Sequence, residues 1–90
     1  MNRFHLGLLV ITPAALQAIK KAGQTPDYFL QRHSSGDWGL VGDKDAEENE
    51  LSLLHNFRIF SSYLTNLGQK IYVITEADRK VTTILLPDEY

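Results

Sequence analysis

The apolar positions change their period twice along the chain. Leu6 to Ile11 is a short apolar run with branched residues, interrupted by Gly7 and stopped by Thr12-Pro13, and it reads as a strand. Thr12-Pro13 is then a helix start. Thr12 is placed to cap the orphan amides, Pro13 takes the first helical position, and Ala15, Leu16, Ile19 and Ala22 repeat at helical spacing until Gly23. Thr25-Pro26 repeats the signal for a second short helix that ends near His33, where Ser34-Ser35-Gly36 allows a sharp exit. Residues 43 to 55 predict a third helix, capped by Asp43 or Asp45, with acidic residues in its first turns and Leu51, Leu53 and Leu54 as its apolar side. Beyond Asn56 the pattern becomes β. Strands are expected over 57 to 64, 70 to 76 and 81 to 86, with turns at Asn66-Leu67-Gly68 and at Ala77 to Lys80. The expectation is an α+β fold with two N-terminal helices and a third helix packed on an antiparallel β-meander of three to four strands. Helices should cover one face, and the N-terminal strand or a partner chain part of the other.

Nine basic and eleven acidic residues leave a net charge of −2, and 43% of the residues are hydrophobic. Residues 1 to 90 therefore form a single small domain, with room for a shallow groove and not for a deep, walled site. The absence of cysteine excludes a disulfide scaffold, thiolate catalysis and cysteine zinc sites, and fits a cytoplasmic protein. The apolar run at the start is too short for a secretion signal or a membrane span, so no membrane partner is expected. Most of the acidity lies in one block, Asp43-Lys44-Asp45 with Glu47, Glu48 and Glu50. The basic residues are scattered, which gives no electrostatic stripe for nucleic acid in the sequence itself.

Two polar clusters carry the candidate chemistry. The first is His33-Ser34-Ser35-Gly36-Asp37-Trp38-Gly39, where the glycines flanking Asp37-Trp38 imply special backbone geometry. His33, at a helix C-terminus, is a candidate general acid or base, with Asp37 orienting it. The structural alternative is a capping His33, a turn-closing Asp37 and a core-plugging Trp38. The second cluster is Thr75-Glu76-Ala77-Asp78-Arg79 with Thr82 and Thr83. Here Thr75, Glu76, Arg79 and Thr82 are expected at one sheet edge, with Arg79 as a bidentate clamp for a phosphate or carboxylate. The alternative is a Glu76 to Arg79 ion pair closing the hairpin. Ser61, Ser62 and Tyr63 on the first meander strand add hydroxyls to the same groove.

Standard motifs are missing: there is no GxGxxG, no GxxxxGK[ST], no HExxH and no GxSxG. His5, His33 and His55 lack metal-ligand spacing. Neither a metal nor another cofactor is expected.

The stretches His33 to Gly39, Ser61-Ser62-Tyr63 and Thr75 to Tyr90, the last ending Leu85-Leu86-Pro87-Asp88-Glu89-Tyr90, match a pattern close to HxxGDWG, SxY and TEADRxxTxxLLPxxY. Over roughly residues 10 to 90 the chain thereby resembles a group of small bacterial proteins of plasmids and genomic islands, which implies a mobile-element setting but no particular activity. In architecture, helices followed by an antiparallel meander are similar to the RelE and ParE toxins and to barnase-like RNases. That likeness implies metal-independent RNA cleavage, with His33 as base or acid, Asp37 orienting it, Arg79 holding the phosphate, and Ser62, Tyr63, Thr82 or Thr83 positioning substrate. The net negative charge opposes it. The other expectation is a non-catalytic protein-binding module, antitoxin-like or an anti-defence inhibitor, whose acidic stretch 43 to 50 and meander edge contact a protein partner. An exposed meander edge also suggests a homodimer.

Overall fold

The computed structural model describes residues 2–90. Strand β1 (Leu8–Ile11) leads into α1 (Pro13–Lys21), α2 (Pro26–Ser34) and α3 (Asp43–His55), then β2 (Ile59–Leu64), β3 (Lys70–Thr75) and β4 (Val81–Leu85), and a closing 3₁₀ turn over Pro87–Glu89. The fold is α+β, as the change of period implies. Thr12 caps α1 through its hydroxyl, which accepts from the Ala15 amide at 3.2 Å. The cap of α3 differs from the expectation. Gly42 occupies that position, and Asp43 and Asp45 lie inside the first turn, where they still complement the helix dipole.

Strands β2, β3 and β4 form the expected antiparallel meander, in which Ile59 faces Thr75 and Thr75 faces Thr82. The sheet as a whole is mixed. β1 adds beside β4 in parallel, giving the order β1-β4-β3-β2. It neither extends the antiparallel pattern nor covers a face, because its ends are tied to β4: the Leu8 amide donates to Lys80 and the Thr12 amide to Ile84. Ala15 and Ile19 of α1 and Phe29 and Leu30 of α2 pack on Tyr63, Ile71, Val73 and Ile84 to form the core. On the opposite face the C-terminal turn folds over β3, with the ring of Tyr90 edge-on to Tyr72.

The third helix does not contribute leucines to that core. Its buried residues are Asn49 and Ser52, and it lies along the outer edge of β2. The Asn49 amide bonds both backbone groups of Phe60. The next outward position, Ser62, donates its amide to Trp38 and accepts from Leu40. The β2 edge is thus covered by α3 and by the segment after α2, whereas nothing among the described residues pairs the outer side of β1.

Candidate functional site

His33 is fully buried, at the last turn of α2. Its Nδ1 lies 2.6 Å from the Ser61 hydroxyl and its Nε2 lies 2.9 Å from that of Thr75. Thr75 is in turn 2.7 Å from Thr82, and Thr82 donates to the Leu6 carbonyl at 2.6 Å. Because each hydroxyl has one proton to give, the chain has one consistent direction. Thr82 spends its proton on Leu6, so Thr75 donates to Thr82. His33 therefore donates from Nε2 to Thr75 and accepts at Nδ1 from Ser61. The ring is neutral in this arrangement, and burial, followed by the nearby charge of Arg79, pushes its pKa down to about 3.

Ser61 and His33 are as close as a nucleophile and its base. They are also sealed. Ser61 has no exposed surface, and Phe4 packs edge-on against the imidazole at 5.2 Å between ring centres. The N-terminal segment is held over them: the Arg3 amide donates to Ser34, and the Arg3 guanidinium pairs with Glu50 at 2.8 Å.

Asp37 does not orient His33. Its carboxylate accepts from Arg32 at 2.7 Å and from the Gly39 amide at 3.1 Å, and these bonds hold its pKa below the usual carboxylate range. Arg32 lies over the ring of Tyr63 at 4.5 Å, and the Tyr63 hydroxyl donates to the Asp37 carbonyl. Burial raises the pKa of that phenol. The flanking glycines have positive φ, 91° at Gly36 and 73° at Gly39. A side chain at Gly39 would collide with the Ser62 carbonyl, so the glycine lets this segment pair with β2. Trp38 is buried and donates its indole N–H to Glu50 at 3.1 Å.

Arg79 is engaged with backbone. It sits in a left-handed turn, φ 61°, and donates to the carbonyls of Phe57, Glu76, Ala77 and Ser52. One guanidinium therefore joins the end of α3, the start of β2 and the β3–β4 hairpin. Glu76 meets it through its carbonyl, and the carboxylate ion pair considered for this hairpin is not formed. Desolvation lowers the pKa of Arg79.

The remaining candidates divide between the sheet faces. Thr75, Thr82 and Tyr63 point to the helix side, while Ser62 and Thr83, one position out of phase, point to the other. The Ser62 hydroxyl is buried there without a hydrogen-bond partner. The structure thus gathers His33, Ser61, Thr75 and Thr82 in the interior. It does not bring Asp37, Ser62, Thr83, Glu76 or a free face of Arg79 to them in an open groove. Ser61 stood among the strand hydroxyls of the sequence, and its alternation with Ile59 and Tyr63 is the signal that places it inward.

A different surface stands out on α3. At 100° per residue, Leu51 and Leu54 lie roughly opposite Asn49 and Ser52, so the leucines face solvent. Leu54 is 77% exposed, and Leu51 and Phe57 are more than half exposed. Around them stand Glu47 and Glu50 beside Arg3, and Asp45 and Glu48 beside Arg58, so the rim carries more carboxylates than cations. Leu51 also borders a groove of about 660 Å³, shared with Phe57, Arg58, Phe60 and Tyr90.

Among the described residues, no group of three or more histidine, aspartate or glutamate side chains is placed to hold a metal ion, and no helix is long and apolar enough to cross a membrane. Comparison with protein-family models, with curated proteins and with solved structures gave no match.

Proposed function

We propose that the chain is a protein-binding module whose docking surface is the outer side of α3. The inverted packing of that helix carries the reading: Asn49 and Ser52 are buried while Leu51, Leu54 and the following Phe57 are exposed. Contiguous apolar surface rimmed by charge marks an interaction site in a small protein. The rim selects the partner. The excess of carboxylates over Arg3 and Arg58 on that rim disfavours nucleic acid, anionic lipid and a second copy of the same helix, and favours a protein that presents apolar side chains among lysines and arginines. An RNase centre gains little support from the same geometry, because its base is sealed and its phosphate-binding arginine is engaged by four carbonyls.

A photo-crosslinking residue at position 54, compared with one at the exposed hairpin residue Leu67, tests the reading in cells that make the protein. The expected result is a discrete adduct with a second protein from position 54 only, weakened by added salt. No adduct at 54 overturns the proposal. So does cleavage of RNA by the purified chain that is lost in a folded Arg79→Ala variant.

A further inference from the structure

We infer that the groove of about 660 Å³ between α3 and Tyr90 is the subsite for an arginine side chain of the docked protein. The inference deepens the α3 reading and rests on it. Asp45, Glu48 and Leu51 all line the groove and follow one another three residues apart, so they form a row down one side of the helix. Two carboxylates come first and an apolar residue last, the order in which a long basic side chain presents its head and its stem. Phe57 and Phe60 add aromatic walls. Phe60 is fixed before a partner arrives, because it stands edge-on to Tyr72 with 4.7 Å between ring centres, and Tyr72 is itself held edge-on by Tyr90.

The charges of the groove select a cation. Asp45 and Glu48 are exposed, and the ion pairs among the described residues, Arg3 with Glu50 and Arg32 with Asp37, use neither. Arg58 lines the same groove but is engaged by Tyr90: it donates to the hydroxyl at 2.6 Å and lies over the ring at 5.6 Å. Two carboxylates without an ion pair thus stand beside one cation that is already occupied. The groove on the other flank of α3, of about 520 Å³, differs. There Arg3 neutralises Glu50, which leaves Glu47 alone among leucines. Charge complementarity therefore places the partner's cation in the first groove and its apolar side chains over Leu54.

Arginine suits the groove better than lysine for two reasons. Its planar fork donates to two acceptors at once, and carboxylates one helical turn apart offer them, whereas an ammonium group is a compact, strongly hydrated charge. The guanidinium also stacks on aromatic faces. The chain uses the same combination internally, where Arg32 donates to Asp37 at 2.7 Å and lies 4.5 Å over the ring of Tyr63.

n-Propylguanidinium, the arginine side chain without its backbone, tests the subsite on the purified chain in an amide NMR titration at constant ionic strength. Saturable shifts are expected at Glu48, Leu51 and Phe60, with a Kd of about 1 mM for so small a probe. n-Butylammonium should bind several-fold more weakly, and the neutral n-propylurea should give no such shifts. Asp45→Asn combined with Glu48→Gln, both exposed positions, should weaken binding about tenfold with unchanged circular dichroism, as expected for losing two exposed charge pairs. Glu76→Gln, on the β3–β4 hairpin, should leave it unchanged. The inference is overturned by the absence of saturable shifts up to about 50 mM probe, by an equal response to n-butylammonium or n-propylurea, or by a double variant that binds as tightly as the wild type. The docking reading is judged separately by the crosslink at position 54. An adduct there without n-propylguanidinium binding removes the arginine subsite alone, and no adduct at 54 removes the docked protein and the occupant with it.

Discussion

The side chain of Asn49 meets the backbone of Phe60 as a neighbouring strand would. Its amide oxygen accepts from the Phe60 N–H at 3.0 Å and its nitrogen donates to the Phe60 carbonyl at 2.7 Å. Both groups of an edge residue are thereby satisfied from a helix. Removing the amide leaves two half-buried backbone groups unpaired, each costing about 1–3 kcal/mol. Asn49→Ala is expected to lower stability by about 2–4 kcal/mol in a denaturant titration, and Asn49→Asp, which accepts but cannot donate, by an intermediate amount. A loss no larger than that of an exposed alanine substitution would show that the edge does not depend on this amide.

The buried imidazole makes stability depend on pH. With a pKa of about 3 in the folded chain against 6.5 in the unfolded one, His33 takes up a proton only on unfolding in that window. Its contribution is complete above the unfolded value and is lost as pH falls, by about 1.4 kcal/mol per unit down to the folded value. Asp37 and Glu50, held below their usual range by Arg32 and Arg3, add to the loss only at the acid end. His33→Gln should flatten the slope between about pH 6 and pH 5, before carboxylates titrate. An unchanged slope assigns the titration to another group.

Arg79 is expected to behave as a brace. Arg79→Ala should lower stability by about 2–4 kcal/mol, because several carbonyls lose a charged donor at once. Arg79→Lys should recover less than half of that, since an ammonium group lacks the planar fork that reaches Ser52 and Phe57 together. A ligand clamp would behave oppositely, with unfolding midpoints unchanged by either substitution.

Leu54→Ser and Leu51→Ser should change stability by no more than about 0.5 kcal/mol, whereas Ile71→Ala in the core should cost about 2–5 kcal/mol. Thermal melts of the three variants separate the two classes. A large loss from Leu54→Ser would place that residue in the packing of the fold and leave the outer side of α3 without its central contact.

What the sequence made legible was local. Thr12-Pro13 and Thr25-Pro26 mark helix starts because a cap and a fixed φ act within one turn, and the meander is readable from its turns. The partner of β1 is not, since Leu8 pairs with Val81 across most of the chain and no adjacent residue encodes it. The leucines of residues 43 to 55 pointed to a core side because apolar residues at helical spacing usually are buried. The polar pair Asn49 and Ser52 took that place through hydrogen bonds to β2 and to the turn before it. At the candidate site, His33 was visible, but its partners Ser61 and Thr75 lie 28 and 42 residues away, and only the strand pairing selects Ser61 over Ser62.

The two sides of the sheet are unequal, and this limits how the molecule grows. A strand has two lateral sides, and an unlimited cross-β stack needs both to remain available. In this chain Phe60 and Ser62 on the outer side of β2 already have their acceptors and donors occupied by Asn49, Trp38 and Leu40, so strand addition is disfavoured on that side. Docking against β1 is not matched by an equally open side at β2, and filament growth by edge pairing is disfavoured in the folded protein.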